Sequence, residues 1–135
     1  MEPVIGTVIG EKYRLDRPLA RGGMGSVWAG RHLGLDVPIA VKFMSASADT
    51  QSARVRFERE AKSAASLRSP HVVQIIDYDA KGQAPYIVME LLEGEDLGDR
   101  LARVGRLPPR EVASIVAQLA KGLVLAHEAG IVGDD

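Results

Sequence analysis

Apolar positions along the chain change period twice, and these changes divide it into parts. Tyr13 to Ala20 alternates in the two-residue period of a strand and ends at a glycine cluster. Ser26 to Leu33 reads as a second strand, Gly34 to Pro38 as a turn with suitable breakers, and Ile39 to Met44 as a third strand. From Ala53 the period becomes helical, with Val55, Ala61, Ala64, Ala65 and Leu67 forming an apolar stripe that stops at Ser69-Pro70. Val72 to Tyr78 and Tyr86 to Leu92 are apolar and β-branched on either side of Lys81-Gly82-Gln83, the pattern of a hairpin. After Glu93-Gly94-Glu95-Asp96, a short helix is expected from Leu97 to Val104. A long one should open at Pro108-Pro109 and run to about Ala129, since proline suits a first turn.

The pattern predicts an α+β fold: a five-stranded antiparallel sheet with one crossing helix, then a short and a long helix. Residues 1–12 read as a loose lead-in, 13–92 as the sheet lobe and 93–135 as a helical segment. At 135 residues, with 46% hydrophobic and 26% charged positions, the chain has enough apolar material for one core and enough charge for a soluble surface.

Charge and residue types remove several function classes. A net charge of -1 gives no general attraction to nucleic acid or to an anionic membrane. The absence of cysteine excludes disulfides and thiolate chemistry. No His and carboxylate pair shows metal-ligand spacing, so no protein-held metal is expected. No apolar run approaches a membrane span and the first residues lack the pattern of a leader, so a soluble, unprocessed, cytoplasmic protein is expected.

Three features carry chemistry. Gly22 and Gly25 lack a Cβ, so the backbone of their turn could approach a polyphosphate and present N–H groups to it; two glycines alone fit an ordinary hairpin turn equally well. Lys42 ends an otherwise apolar strand, where burying it without an anionic partner would be costly; a lysine reaching to water is the alternative. Glu60 lies on the following helix at a separation that lets the two meet; taken alone it reads more simply as an ordinary solvated glutamate among Arg56, Glu58, Arg59 and Lys62, and the basic run Arg54, Arg56, Arg59 and Lys62 reads as a solvated face.

Taken in order, glycine loop, Ile39-Ala40-Val41-Lys42 strand, helix with Arg59-Glu60, hairpin and Val88-Met89-Glu90, the chain resembles eukaryotic-type serine/threonine protein kinases of the kind common among bacteria. Leu19 to Trp28 is similar to that family's phosphate loop, with Ala20 where the first glycine usually stands. The resemblance implies ATP as ligand, with magnesium held only through ATP. Lys42 would contact its phosphates and Glu60 would pair with Lys42. Ala40 and Val27 would sandwich the adenine, Met89 would be the gatekeeper, and Glu90 to Leu92 the hinge.

The same resemblance implies that Gly133-Asp134-Asp135 stands where the family has His-Arg-Asp, with Asp135 in register with the catalytic aspartate. As two terminal aspartates they read more simply as a solvated tail. The chain has no Asp-Phe-Gly and no asparagine for a second magnesium ion, and transfer depends on such charge neutralisation. The expectation is a non-catalytic, pseudokinase-like module, with an excerpt or frameshifted remnant of an active kinase, or a purely structural interaction module, as alternatives.

Val112, Ile115, Val116, Leu119, Leu123 and Ala126 fall on one face of the long helix. Each large apolar side chain left in water forfeits about 1.5–3 kcal/mol, so five amount to on the order of 10 kcal/mol, comparable to a domain's stability of about 5–15 kcal/mol. This face is expected to be covered by a second copy in a dimer, by a protein partner, or by the sheet lobe after rearrangement.

Overall fold

The computed structural model describes residues 3–23 and 25–130. It contains strands β1 (Val8–Ile9), β2 (Tyr13–Gly22), β3 (Gly25–His32), β4 (Val37–Met44), β5 (Ile75–Asp79) and β6 (Tyr86–Glu90), and helices α1 (Gln51–Ala65), α2 (Leu97–Val104) and α3 (Pro109–Glu128). The strands form one antiparallel sheet in the order β1-β2-β3-β4-β6-β5. Six strands thus replace the expected five.

The additional strand lies in the segment expected to be a loose lead-in. Residues 6 and 7 bond to Leu15 through Gly6 N–H to Leu15 C=O (2.7 Å) and Leu15 N–H to Thr7 C=O (2.8 Å). Ile9, 7% exposed, joins the core. A two-residue strand is too short to show alternation, which hides it in the sequence.

Alternation builds the core. Ile39, Val41 and Phe43 point to one face of β4 and pack with Ile9, Tyr13, Leu15, Trp28, Tyr86 and Val88. Trp28 is therefore a packing residue. The sheet curls around this core. β2 and β5 are separated by three strands in the sheet order, which in a flat sheet would set them about 19 Å apart. Yet the Tyr13 hydroxyl donates to Asp77 Oδ2 at 2.8 Å. Burial and the Asp77 carboxylate push the Tyr13 hydroxyl well above its usual range, so it remains a donor. Pro18, which lacks an N–H, sits where β2 extends past β1 and, among the described residues, no strand pairs its far edge.

The Thr50 hydroxyl caps α1 by accepting from the Ala53 amide at 3.1 Å. The helix packs on β5, at the edge of the sheet. Two expectations for α1 need correction. Val55 is 48% exposed and lies off the packed stripe, which Ala61 instead anchors. Arg54 is no solvated residue. Its guanidinium donates to both Asp49 oxygens (2.7 Å each) and to the carbonyls of Ala80 (3.2 Å), Gly82 (2.6 Å) and Gln83 (3.0 Å). It therefore ties the start of α1 to the β5–β6 turn.

Asp96 caps α2 by accepting from the Asp99 amide at 2.7 Å. Pro109 opens α3 as the sequence predicts. Arg100 and Arg103 of α2 bond to Glu95, and Arg100 also bonds to Glu111 in the first turn of α3, so charge stitches the two helices together. α3 meets the α1–β5 connection at Gly122, which is buried; a Cβ there would stand 3.2 Å from the His71 carbonyl oxygen. Among the described residues no helix is long and apolar enough to cross a membrane.

Candidate functional site

In an antiparallel sheet, directly paired residues point to the same face, so the register shows which side chains share a surface. One row runs Ala20–Val27–Lys42–Ile87–Tyr78 across β2, β3, β4, β6 and β5. The neighbouring row runs Ala29–Ala40–Met89–Ile75. Both lie on the face opposite Val41 and Phe43. Five predicted residues, Ala20, Val27, Ala40, Lys42 and Met89, therefore meet on one wall. Alanines at 20, 29 and 40 keep that wall low, flanked by Val27 and Met89 and with a single cation, Lys42, in the row. Such a surface can take a flat apolar ring and place one positive charge beside it.

Lys42 is exposed. The cost of burying it, which motivated an anionic partner, does not arise, and among the described residues no carboxylate lies within ion-pair distance of it. The expected Lys42–Glu60 pair is not formed in this structure. Glu60 is exposed. The carboxylate of α1 that meets the sheet is Glu58, which accepts from the Tyr78 hydroxyl at 3.3 Å and pairs with Lys62 at 3.3 Å. Hydrogen bonding to Glu58 holds the Lys62 ammonium above its usual range.

The glycine turn joins β2 to β3, with Gly22 paired to Gly25. Gly25 has φ +148°, and a Cβ there would collide with the Phe43 carbonyl oxygen, so this position requires glycine. Gly22 has open space around it, so its lack of a Cβ serves access rather than fit. A cavity of about 170 Å³ beside this turn is lined by Arg21, Ser26, Trp28 and Phe43. Trp28 and Phe43 belong to the core face, so this cavity lies across the sheet from Lys42.

Beyond β6 the chain continues through Leu91 and Leu92, the latter 64% exposed. The Glu90 amide donates to the Gln74 carbonyl at 3.0 Å, and its side chain accepts from the Gln74 amide at 2.9 Å. The Glu90 N–H is thus committed to the protein, while among the described residues the Leu92 amide makes no backbone hydrogen bond outside the regular elements. Asp135 lies outside the described residues. Sequence reasoning misses Arg54, Glu58 and Tyr78. Nothing in their spacing distinguishes them from ordinary surface residues until the hairpin places Tyr78 beneath α1.

The protein kinase domain model matches residues 13–135. The chain is 36% identical over 141 residues to the serine/threonine-protein kinase PknA of Mycobacterium tuberculosis, covering 100% of this chain and 33% of that protein. Serine/threonine-protein kinase PknH of Mycobacterium tuberculosis is 39% identical over 132 residues, covering 97% of this chain and 21% of that protein. Among solved structures, the kinase domain of Mycobacterium tuberculosis PknI superposes with a TM-score of 0.85 at 30% identity, over 99% of this chain and 54% of that one. The chain thus spans a third or less of these two curated relatives and about half of that solved domain. On the extent of the domain match and the shared fold, the chain belongs to the protein kinase family and spans its amino-terminal lobe region.

Proposed function

We propose that these residues form the ATP-holding wall of a serine/threonine protein kinase, with the adenine lying against Val27, Ala40 and Met89 and the phosphates reaching Lys42. The observation that carries this reading is the register, which gathers Ala20, Val27, Ala40, Lys42 and Met89 into two adjacent rows of one face. Small side chains at 20, 29 and 40 suit a planar ring. The glycine turn at the end of the same row suits a phosphate chain, because its amides can approach without side-chain obstruction. The Glu90 carbonyl and Leu92 amide suit the adenine edge. Magnesium would arrive with ATP and would neutralise the charge of its phosphates.

A polypeptide of these 135 residues holds nucleotide without transferring its phosphate. It contains no asparagine and no Asp-Phe-Gly with which to hold metal ions at the transferred group. Among the described residues Lys42 and Glu60 form no ion pair with each other, which favours the same reading. Its second activity is contact with protein. Val112, Val116, Leu119 and Leu123 on α3 are 43–57% exposed, and the sheet lobe does not cover them. A second copy or a protein partner would bury them. A protein that works with ATP fits the cytoplasm.

Melting the purified chain with Mg-ATP, together with a phosphotransfer assay on a serine- and threonine-containing peptide, tests this. A Lys42-dependent rise in melting temperature without labelling of the peptide is expected. Labelling at ordinary kinase rates that is lost in Lys42→Ala would overturn the non-catalytic part of the reading.

A further inference from the structure

The cavity beside the glycine turn plays no part in the nucleotide reading, since it lies across the sheet from Lys42. Strand register explains its make-up. Arg21, Ser26, Phe43 and Tyr86 form one cross-strand row on the core face, which passes from a cation through a hydroxyl to two packed rings. Where this row leaves the core it walls a space of about 170 Å³, with Trp28 and Ala84 completing the apolar floor. Arg21 is exposed, Ser26 half-buried and Phe43 buried, so polarity falls with depth.

We propose that this cavity is a binding site for a small carboxylic acid built on a single ring, with the ring against Trp28 and Phe43 and the carboxylate at Arg21 and the Ser26 hydroxyl. Size sets the ring. An engineered apolar cavity of about 150 Å³ is enough for benzene, so this one takes one six-membered ring and has no room for a fused pair. Two aromatic side chains in the floor favour a flat ligand over a branched one. Charge sets the acid. Arg21 is the only charged residue among the described residues that line the cavity, and among the described residues it forms no ion pair. A single guanidinium matches a carboxylate with two parallel hydrogen bonds, whereas a phosphate dianion would bring a second charge with no second cation to meet it. Trp28 points the same way. It is 2% exposed, and its indole N–H has no hydrogen-bond partner among the described residues. Buried donors are nearly always paired, so this wall of the cavity lacks an acceptor, and a carboxylic acid brings two oxygens. The site uses neither Lys42 nor the alanine wall, and it stands whether or not the chain holds ATP.

Trp28 is the one tryptophan of the chain, so its emission reports on the cavity alone. Titrating the purified chain with benzoate should shift that emission saturably. Benzamide, the same ring without the charge, should bind about tenfold more weakly, the difference between a charged and a neutral hydrogen-bonded partner. Acetate, the carboxylate without the ring, should leave the emission unchanged. Arg21→Gln, at an exposed position, should lower benzoate to the affinity of benzamide and leave benzamide as it was. Ala46→Leu, on the exposed rim, should block both. Lys42→Ala should alter neither, and benzoate should still bind with Mg-ATP present. Equal affinity for benzoate and benzamide, an equal response to acetate, or benzoate binding untouched by Arg21→Gln or by Ala46→Leu would each overturn the proposal. So would loss of benzoate binding in Lys42→Ala or on addition of Mg-ATP, or no change in emission at millimolar benzoate.

Discussion

The two faces of β4 make opposite predictions at adjacent residues. Val41 is fully buried among Leu15, Ile39 and Val88, whereas Lys42 is exposed on the other face. Val41→Ala removes two buried carbons, a transfer loss of about 1.6 kcal/mol at about 0.8 kcal/mol per carbon. The cavity left by incomplete relaxation raises this to about 2–3 kcal/mol. At this chain length about 1 kcal/mol moves the melting temperature by about 4 °C, so a fall of about 8–12 °C is expected. Lys42→Ala leaves the core untouched and should change stability by no more than about 0.5 kcal/mol. Urea titration gives the free energies, and melts with and without Mg-ATP give the ligand increment. Val41→Ala should keep that increment while it remains folded, and Lys42→Ala should lose it. The reasoning fails if Val41→Ala is neutral, or if Lys42→Ala destabilises the apoprotein as much as Val41→Ala does.

Other outcomes follow from particular contacts. Gly122→Val should push α3 from the His71–Val72 connection and lower the melting temperature, with little effect on Mg-ATP affinity, because the sheet wall is untouched. Acid should weaken the fold through three carboxylates. Asp49 is held below its usual range by its hydrogen bonds from Arg54, Glu95 by Arg103 and then Arg100, and Glu111 by Arg100. A carboxylate whose value is lower folded than unfolded stabilises the fold above about pH 4, and that contribution fades as pH falls further. Urea midpoints between neutral pH and about pH 3 should therefore decline less steeply in Arg54→Met than in the parent. Leu119→Lys with Leu123→Lys should abolish any self-association seen by size-exclusion light scattering, and an oligomer that survives both changes would place the interface elsewhere.

Legibility in the sequence follows the range of the interactions. The long strands and both later helices are readable because alternation and proline placement are local signals, and the structure keeps Leu97–Val104 and the opening at Pro109. β1 is unreadable because its pairing to Tyr13 and Arg14 is a tertiary fact. Val55 matches a helical stripe on spacing, yet the packed face of α1 is set by the hairpin that Arg54 grips. The wall is legible as a set, since Val27, Ala40, Lys42 and Met89 stand at positions the family pattern marks. Their gathering follows from strand register. What α1 does with its two glutamates is not legible. Glu58 and Glu60 are equivalent as letters, and only the position of Tyr78 beneath the helix decides which of them faces the sheet.

The claim on which this account rests is that Lys42 and the wall around it hold ATP, and a melt of the purified chain against rising Mg-ATP tests it most directly, with Lys42→Ala in parallel. Saturation at about a hundredfold over Kd should add about 2.7 kcal/mol to the parent, a rise of about 10 °C, and add nothing to the variant. No rise at millimolar Mg-ATP, or an equal rise in both proteins, would contradict it.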